Sequence, residues 1–335
     1  ESHLPQPSST EVRTALLEAQ AEAHRLGLTG VHSVEVTGIE DWGAMEQDGV
    51  LRLRVLQSIP LPRLDHAIAV GLRSGFGSEW LRIGGVKMFM DGALGSRTAW
   101  MRRPYESGAA GDTGIRTLET EEFRDNVRRA AEAGIASTVH AIGDAAVELA
   151  IDVLGAAERP TAMPHRIEHV QLCPPDLWER AGRSGVVGSM QPVHVMTDIP
   201  AAERHWGHER SRGAYPFAPL QRAGMTLAFG SDVPVESCDP RLGLFAAVRR
   251  VGWDGAPAEG WWMENAVTAE AALRAYTEGP AAAAGLEHRQ GRLLPGYDAD
   301  LVAWDADPLE AEPDAVREMR CVLTMVAGEV VQRAV

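Results

Sequence analysis

The sequence predicts an α/β fold: a (β/α)8 barrel of the TIM type, followed by a small β subdomain. Three observations point to this architecture. Short runs typical of β-strands alternate with helical patterns of about ten to fifteen residues, which indicates a parallel sheet. The alternation repeats often enough to favour a closed barrel over an open sheet. The chain has 335 residues, enough for such a barrel with an addition.

The chain is predicted to open with a helix rather than a strand. Ser8 and Glu11 have the spacing of a capping box, and apolar residues then recur at helical spacing until Gly27. Apolar runs predict seven strands after it, at 28–36, 51–56, 81–90, 135–140, 166–170, 186–191 and 226–230. Helical spacing predicts helices between them at 39–48, 62–72, 118–133, 145–154 and 175–181. The glycine-rich segment 91–114 is left as a long loop, and such loops are usually functional.

Seven strands are one fewer than a closed barrel of this type requires. We therefore expect the missing strand to precede residue 1, either cleaved or deleted from a longer polypeptide or supplied by a partner subunit. After the barrel, the sequence predicts a helix at 269–284 and short strands at 300–304, 322–326 and 329–332. The predicted boundaries are 1–285 for an N-terminally incomplete barrel and 286–335 for the β subdomain.

Composition excludes several classes of function. Hydrophobic residues make up 45% of the chain and charged residues 24%, as in ordinary globular proteins. The formal net charge of −15 opposes binding to nucleic acid or to an anionic membrane surface. No apolar run is long enough to span a membrane, and the first five residues lack the pattern of a signal peptide. The expected location is cytoplasmic and the expected partner is a small-molecule substrate; a homo-oligomer is left open.

Four polar residues fall at the ends of different predicted strands. They are Lys87, His140, His169 and Asp232. In barrels of this kind the chemistry lies at the C-terminal ends of the strands, so these side chains should converge. Imidazole and carboxylate groups suit Zn²⁺ or a similar divalent ion. An ammonium group cannot bind a metal, but a buried neutral lysine can react with carbon dioxide to give a carbamate, which could bridge two ions.

Two further residues are candidates for binding substrate. Arg97, in the long loop, has the donor geometry to clamp a substrate carboxylate. His194 lies near the predicted barrel mouth, where it would touch substrate.

Together these residues and the motifs around them resemble the amidohydrolase superfamily, specifically its amidohydrolase-3 branch. The motifs that carry the resemblance are Lys87 with 91–99, 140–144, 167–170, 230–234 and 291–302. The resemblance implies a hydrolase of C–N bonds with one or two metal ions, as in N-substituted formamide deformylases, and a C-terminal β-sandwich. It also implies that His140 and His169 hold one metal, that Lys87 bridges as a carbamate, and that Asp232 holds the other metal and shuttles protons.

The sequence departs from the family in one respect: it contains no His-x-His pair, which the family places on its first strand. The metal site is therefore expected to be incomplete; if the chain is a truncated barrel without catalysis, its zinc affinity is expected to be low and Lys87 uncarboxylated. The leading hypothesis is hydrolysis of an amide or formamide by a metal-activated hydroxide, with Asp232 as general base and acid. Two alternatives are a barrel enzyme that uses Lys87 as a Schiff-base nucleophile and a truncated barrel without catalysis.

Overall fold

The computed structural model describes residues 7–34 and 38–334 of the chain. Seven parallel strands form one sheet, and their order in the sheet is their order in the chain, which confirms the predicted number. The strands are β1 Gly30–Ser33, β2 Arg54–Pro60, β3 Leu81–Phe89, β4 Ser137–Ala141, β5 Arg166–His169, β6 Val187–Met190 and β7 Leu227–Phe229. Within the described ranges, β1 and β7 each pair with only one strand and so form the two edges of the sheet.

Helices precede, connect and follow these strands. They are α1 Ser9–Arg25, α2 Ile39–Gln47, α3 Leu64–Ala69, α4 Thr120–Glu132, α5 Asp144–Ala156, α6 Pro175–Arg183, α7 Val195–His205, α8 His208–Ser211, α9 Phe217–Arg222, α10 Pro240–Arg249, α11 Ala269–Ala283 and α12 Pro313–Val316. The predicted capping box is present: the Ser8 hydroxyl accepts from the Glu11 amide, and the Glu11 carboxylate accepts from the Ser8 amide.

Most of the predicted elements are confirmed with shifted ends. The strand predicted at 28–36 is shorter, and its residues 35 and 36 lie outside the described ranges, as do residues 1–5. The strand predicted at 51–56 begins and ends later, as β2. The helix predicted at 62–72 starts with a 3-10 turn, Leu61–Arg63, and then continues as α3. Helices α7 to α10 and α12 were not predicted.

The predicted C-terminal strands are present as β8 Leu301–Trp304, β9 Cys321–Val326 and β10 Glu329–Arg333. They form a separate antiparallel sheet in the order β10-β9-β8. Several contacts join this sheet region to the start of the chain, among them an ion pair and a hydrogen bond. Arg54 Nε lies 2.5 Å from Asp300 Oδ2, and the Thr324 hydroxyl donates to the His24 carbonyl at 2.7 Å. The boundary predicted at 285/286 stays a prediction.

Arg250, which follows α10, is fully buried, and among the described residues it forms no ion pair with an acidic side chain. Its guanidinium donates to three carbonyls, those of Trp261 at 2.7 Å, Tyr215 at 3.0 Å and Ala214 at 3.1 Å. The rings of Phe217 and Trp261 lie 5.5 Å from the guanidinium carbon. Burial lowers the pKa of Arg250 to about 9, so the side chain is still charged at neutral pH. Arg250 therefore links three loop segments through its hydrogen bonds.

None of the helices in the described ranges combines the length and the apolar character needed to cross a bilayer.

Replacing His165 with Gln should make stability less sensitive to acid. The buried His165 ring accepts from the Ser137 amide and donates to the Glu158 carbonyl, each at 3.0 Å. Burial lowers the pKa of His165, so its contribution to stability is lost as the pH falls from about 6.5 through the folded-state pKa, because the unfolded chain binds the proton first. Urea unfolding at about pH 7 and about pH 5 should show that the free energy of unfolding decreases less between the two pH values for H165Q than for the wild type.

The matched control for this experiment is His66→Gln, because His66 is exposed on α3. H66Q should show the wild-type loss of stability between the two pH values. Equal losses in H165Q and wild type would contradict the prediction.

Candidate functional site

The residues predicted at the strand ends lie around one cavity of about 1870 Å³. Lys87 belongs to β3, His140 to β4 and His169 to β5, while His194 follows β6 and Asp232 follows β7. In a parallel sheet whose strands follow chain order, these ends stand side by side at one edge. The structure thus brings together five of the six predicted site residues.

The sixth, Arg97, lies apart from them. Its side chain is exposed, and its guanidinium donates to the Ser107 carbonyl at 3.0 Å. It is absent from the described residues that line the cavity. A role for Arg97 in substrate binding stays a prediction.

His140 and His169 lie next to each other in the site. Their ring centroids are 4.5 Å apart, in an edge-to-face arrangement. His140 Nε2 lies 2.9 Å from the Gly92 carbonyl, which can only accept, so this nitrogen carries the proton. The bare nitrogen of His140 is then Nδ1, for which no hydrogen-bond partner is found in the described part of the chain. A neutral imidazole with one bare nitrogen is the form that binds metal.

Both histidines are neutral in this environment. Burial and the nearby Lys87 lower the pKa of His140 to about 4. Burial, with smaller effects from His140, Lys87 and His194, lowers the pKa of His169 well below its ordinary value. Neither ring therefore needs to lose a proton before it binds a divalent ion at neutral pH.

Lys87 is a buried amine beside these rings. Only 6% of its surface is exposed, and its Nζ lies 3.8 Å from the centroid of the Phe89 ring. Burial lowers the pKa of Lys87 to about 8, although the carboxylates of Glu168, Asp232 and Asp91 act in the opposite direction. A neutral amine is therefore accessible at a pH only slightly above neutrality.

Asp91 anchors the long loop to the site, and the sequence motif gave it no separate role. Its carboxylate accepts from the backbone amides of Trp100 at 2.9 Å and Gly143 at 2.8 Å, and Oδ1 lies 3.4 Å from His140 Nε2. The side chain is fully buried, and burial raises the pKa of Asp91 to about 7. In the sequence, Asp91 could have been recognised because a carboxylate there comes directly after a predicted buried strand and opens the predicted long loop.

His194 and Asp232 face each other across another part of the cavity. His194 Nε2 lies 4.0 Å from Asp232 Oδ2. This nitrogen is buried and has no hydrogen-bond partner within the described ranges. Asp198, one turn further along α7, accepts from Gln171 at 2.7 Å and from the Tyr215 hydroxyl. Sequence reasoning missed Asp198 because both of its partners come from other segments.

Two of these strand ends carry left-handed backbone conformations. His169, Val170 and Asp232 have φ values of 76°, 44° and 61°, in the left-handed region that favours glycine. Each such conformation costs about 1–3 kcal/mol and persists where surrounding structure enforces it, commonly at functional sites. The strain is consistent with a function for His169 and Asp232 other than packing.

A divalent metal fits part of this donor set. His140 and His169 offer two adjacent neutral imidazoles, which are suitable ligands for Zn²⁺. In residues 7–34 and 38–334, however, no three His, Cys, Asp or Glu side chains lie close enough to hold a metal ion. These residues therefore provide two ligands of a site, with Lys87 and Asp232 on the same cavity.

Comparison with known proteins places these observations in a family. A sequence model of the amidohydrolase family matches residues 2–332. The protein YtcJ of Bacillus subtilis (strain 168), whose name assigns it to the amidohydrolases, is 28% identical over 335 residues, 98% of this chain and 63% of its own. N-substituted formamide deformylase of Arthrobacter pascens is 27% identical over 262 residues, 75% of this chain and 46% of its own.

A solved structure agrees with this assignment. An uncharacterized metal-dependent hydrolase from Pyrococcus horikoshii OT3 has a TM-score of 0.81 and 31% identity, over 92% of this chain and 62% of that protein. The chain therefore spans less than two thirds of the length of each of these three relatives. With nearly its whole length matched by the family model and its fold shared with a metal-dependent hydrolase, the chain belongs to the amidohydrolase family.

Proposed function

We propose that the chain is the catalytic barrel of a metal-dependent hydrolase that cleaves a non-peptide C–N bond, in an amide or a formamide. The observation that carries the proposal is the pair of neutral imidazoles of His140 and His169, 4.5 Å apart on neighbouring strands of one cavity. The named relatives support the same class of chemistry, since one of them is an N-substituted formamide deformylase.

His140 and His169 would hold the metal, with Lys87 as a carbamate and Asp232 as further ligands. When bound, a divalent ion such as Zn²⁺ supplies Lewis acidity toward the substrate carbonyl and lowers the pKa of water. Asp232 takes the proton from the attacking water and delivers it to the departing amine nitrogen as the C–N bond breaks. His194 would hydrogen-bond the substrate oxygen through Nε2; this role is supported by the burial of Nε2 without a hydrogen-bond partner in the described ranges.

The carbamate on Lys87 is part of this proposal. The neutral amine would attack carbon dioxide and lose a proton, giving an anion with two oxygens. The buried position of Lys87, 6% exposed, favours the neutral amine that this reaction requires. An intact-mass increase equal to one carbon dioxide, lost on acidification, would support it.

The test is a substrate panel assayed with and without added Zn²⁺ on the complete natural polypeptide that carries this sequence. The panel contains N-formyl amines, N-acyl amino acids, cyclic ureas and lactones. We expect Zn²⁺-dependent release of amine from at least one amide or formamide. Turnover of lactones alone would contradict the assignment to C–N bonds, and no turnover in the panel would favour a barrel without catalysis.

A second candidate rests on the same buried lysine. Lys87, with its lowered pKa of about 8, could attack a carbonyl and form a Schiff base without any metal. Treatment with borohydride in the presence of a carbonyl substrate distinguishes the two. A covalent adduct at Lys87 supports the Schiff-base mechanism, whereas Zn²⁺-dependent turnover without an adduct excludes it.

A further inference from the structure

Gln191 lies directly after β6 and is buried against His169, with 6% of its surface exposed. Its Oε1 is 2.8 Å from His169 Nδ1, and its Nε2 donates to the Ser189 carbonyl at 3.3 Å. Because the amide nitrogen is engaged by that carbonyl, the amide oxygen is the atom that faces the imidazole. An amide oxygen can only accept, so the proton lies on His169 Nδ1.

We propose that Gln191 is a positioning residue that holds His169 in the Nδ1–H tautomer and so presents its bare Nε2 to the cavity. The role of His169 Nε2 as a metal ligand rests on the proposed function, whereas the assignment of the proton to Nδ1 does not. The same hydrogen bond also fixes the plane of the His169 ring.

The neighbouring histidine shows why a dedicated acceptor matters. His140 is held in the opposite tautomer, with Nε2 donating to the Gly92 carbonyl and Nδ1 bare. The two rings are 4.5 Å apart and come from adjacent strands. If His169 carried its proton on Nε2, an N–H group would point into the site where a lone pair is required. Gln191 is therefore the acceptor that makes the two imidazoles compatible with one ion.

The test uses imidazole ¹⁵N–¹H correlation spectra of the wild-type chain at neutral pH, where His169 is neutral. Three variants are compared with it: Gln191→Met, which removes the acceptor at similar volume; Gln191→Glu, which keeps an acceptor; and Gln171→Met, the same change at a buried glutamine that bonds Asp198 instead. The wild type and Q171M should show His169 protonated on Nδ1. Q191M should lose that pattern, and Q191E should retain it.

Binding of Zn²⁺ alone, measured by competition with a chelator, gives the second readout. Loss of an outer partner of a metal-binding histidine typically costs about 10–100-fold in metal affinity, so Q191M should bind Zn²⁺ weaker by that factor and Q191E should recover. The proposal is overturned if wild-type His169 carries its proton on Nε2, or if Q191M keeps the wild-type spectrum. If the spectra behave as expected and even the wild type takes up no Zn²⁺, the positioning role is supported and the proposed metal-dependent function fails.

Discussion

Replacing Asp232 with Asn should lower kcat by about 10²–10⁴-fold, the usual contribution of a positioned general acid–base group. Asn has the same shape but cannot take a proton from water or deliver one to the leaving amine. Because the loss falls on the transition state, KM should change far less than kcat. The measurement is steady-state kinetics on whichever amide or formamide the panel identifies, in the presence of Zn²⁺.

The control for D232N is Asp152→Asn, an identical change on the exposed face of α5, where Asp152 pairs with Arg180. D152N should keep wild-type kinetics. Circular dichroism and thermal melting should confirm that D232N is folded. A folded D232N enzyme with wild-type kcat would remove Asp232 from the mechanism.

Replacing Arg250 with Met should destabilise the fold by at least about 1.5–3 kcal/mol, the net contribution of one hydrogen bond made by a charged group, because three such bonds are lost. Met fills much of the volume between Phe217 and Trp261 but donates no hydrogen bonds. The carbonyls of Ala214, Tyr215 and Trp261 would each lose a buried donor. Urea unfolding would show this as a lower midpoint at unchanged slope.

Arg222→Met is the matched control, because Arg222 is exposed on α9. Its effect should stay within about 0.5 kcal/mol, as for most surface substitutions. Arg250→Lys should recover only part of the loss, since one ammonium group cannot reproduce the planar fork that spans the three carbonyls. A wild-type midpoint for R250M would show that these hydrogen bonds contribute nothing to the stability of the fold.

The strands could be predicted because each is a short apolar run closed by polar or glycine residues. The strand from Leu81 to Phe89 illustrates this: the prediction of 81–90 differs from it by one residue. The ends of its neighbour Arg54–Pro60 were shifted because the apolar run begins at Leu51, while pairing with the preceding strand sets where β2 starts and pairing with the next strand sets where it ends. Local pattern reveals which segments are strands, and the partner strand decides their ends.

The important residues likewise fall into those that the local sequence reveals and those that it does not. Lys87, His140 and His169 were found because a polar residue at the end of an apolar run is conspicuous in the sequence. Gln191 and Arg250 were not, because their importance lies in partners more than ten residues away. Most arginines lie at the protein surface, and the residues next to Arg250 in the sequence give no sign that it is completely buried.

The order of the strands has a consequence for how the chain reaches its native state. Every neighbouring pair in the large sheet is also consecutive along the chain, so each new strand closes only a moderate loop. The contacts from Arg54 to Asp300 and from His24 to Thr324 span 246 and 300 residues, and loop-closure entropy rises with such separations. We therefore expect the parallel strands to assemble successively and the small antiparallel sheet to dock onto α1 as one of the last events of folding.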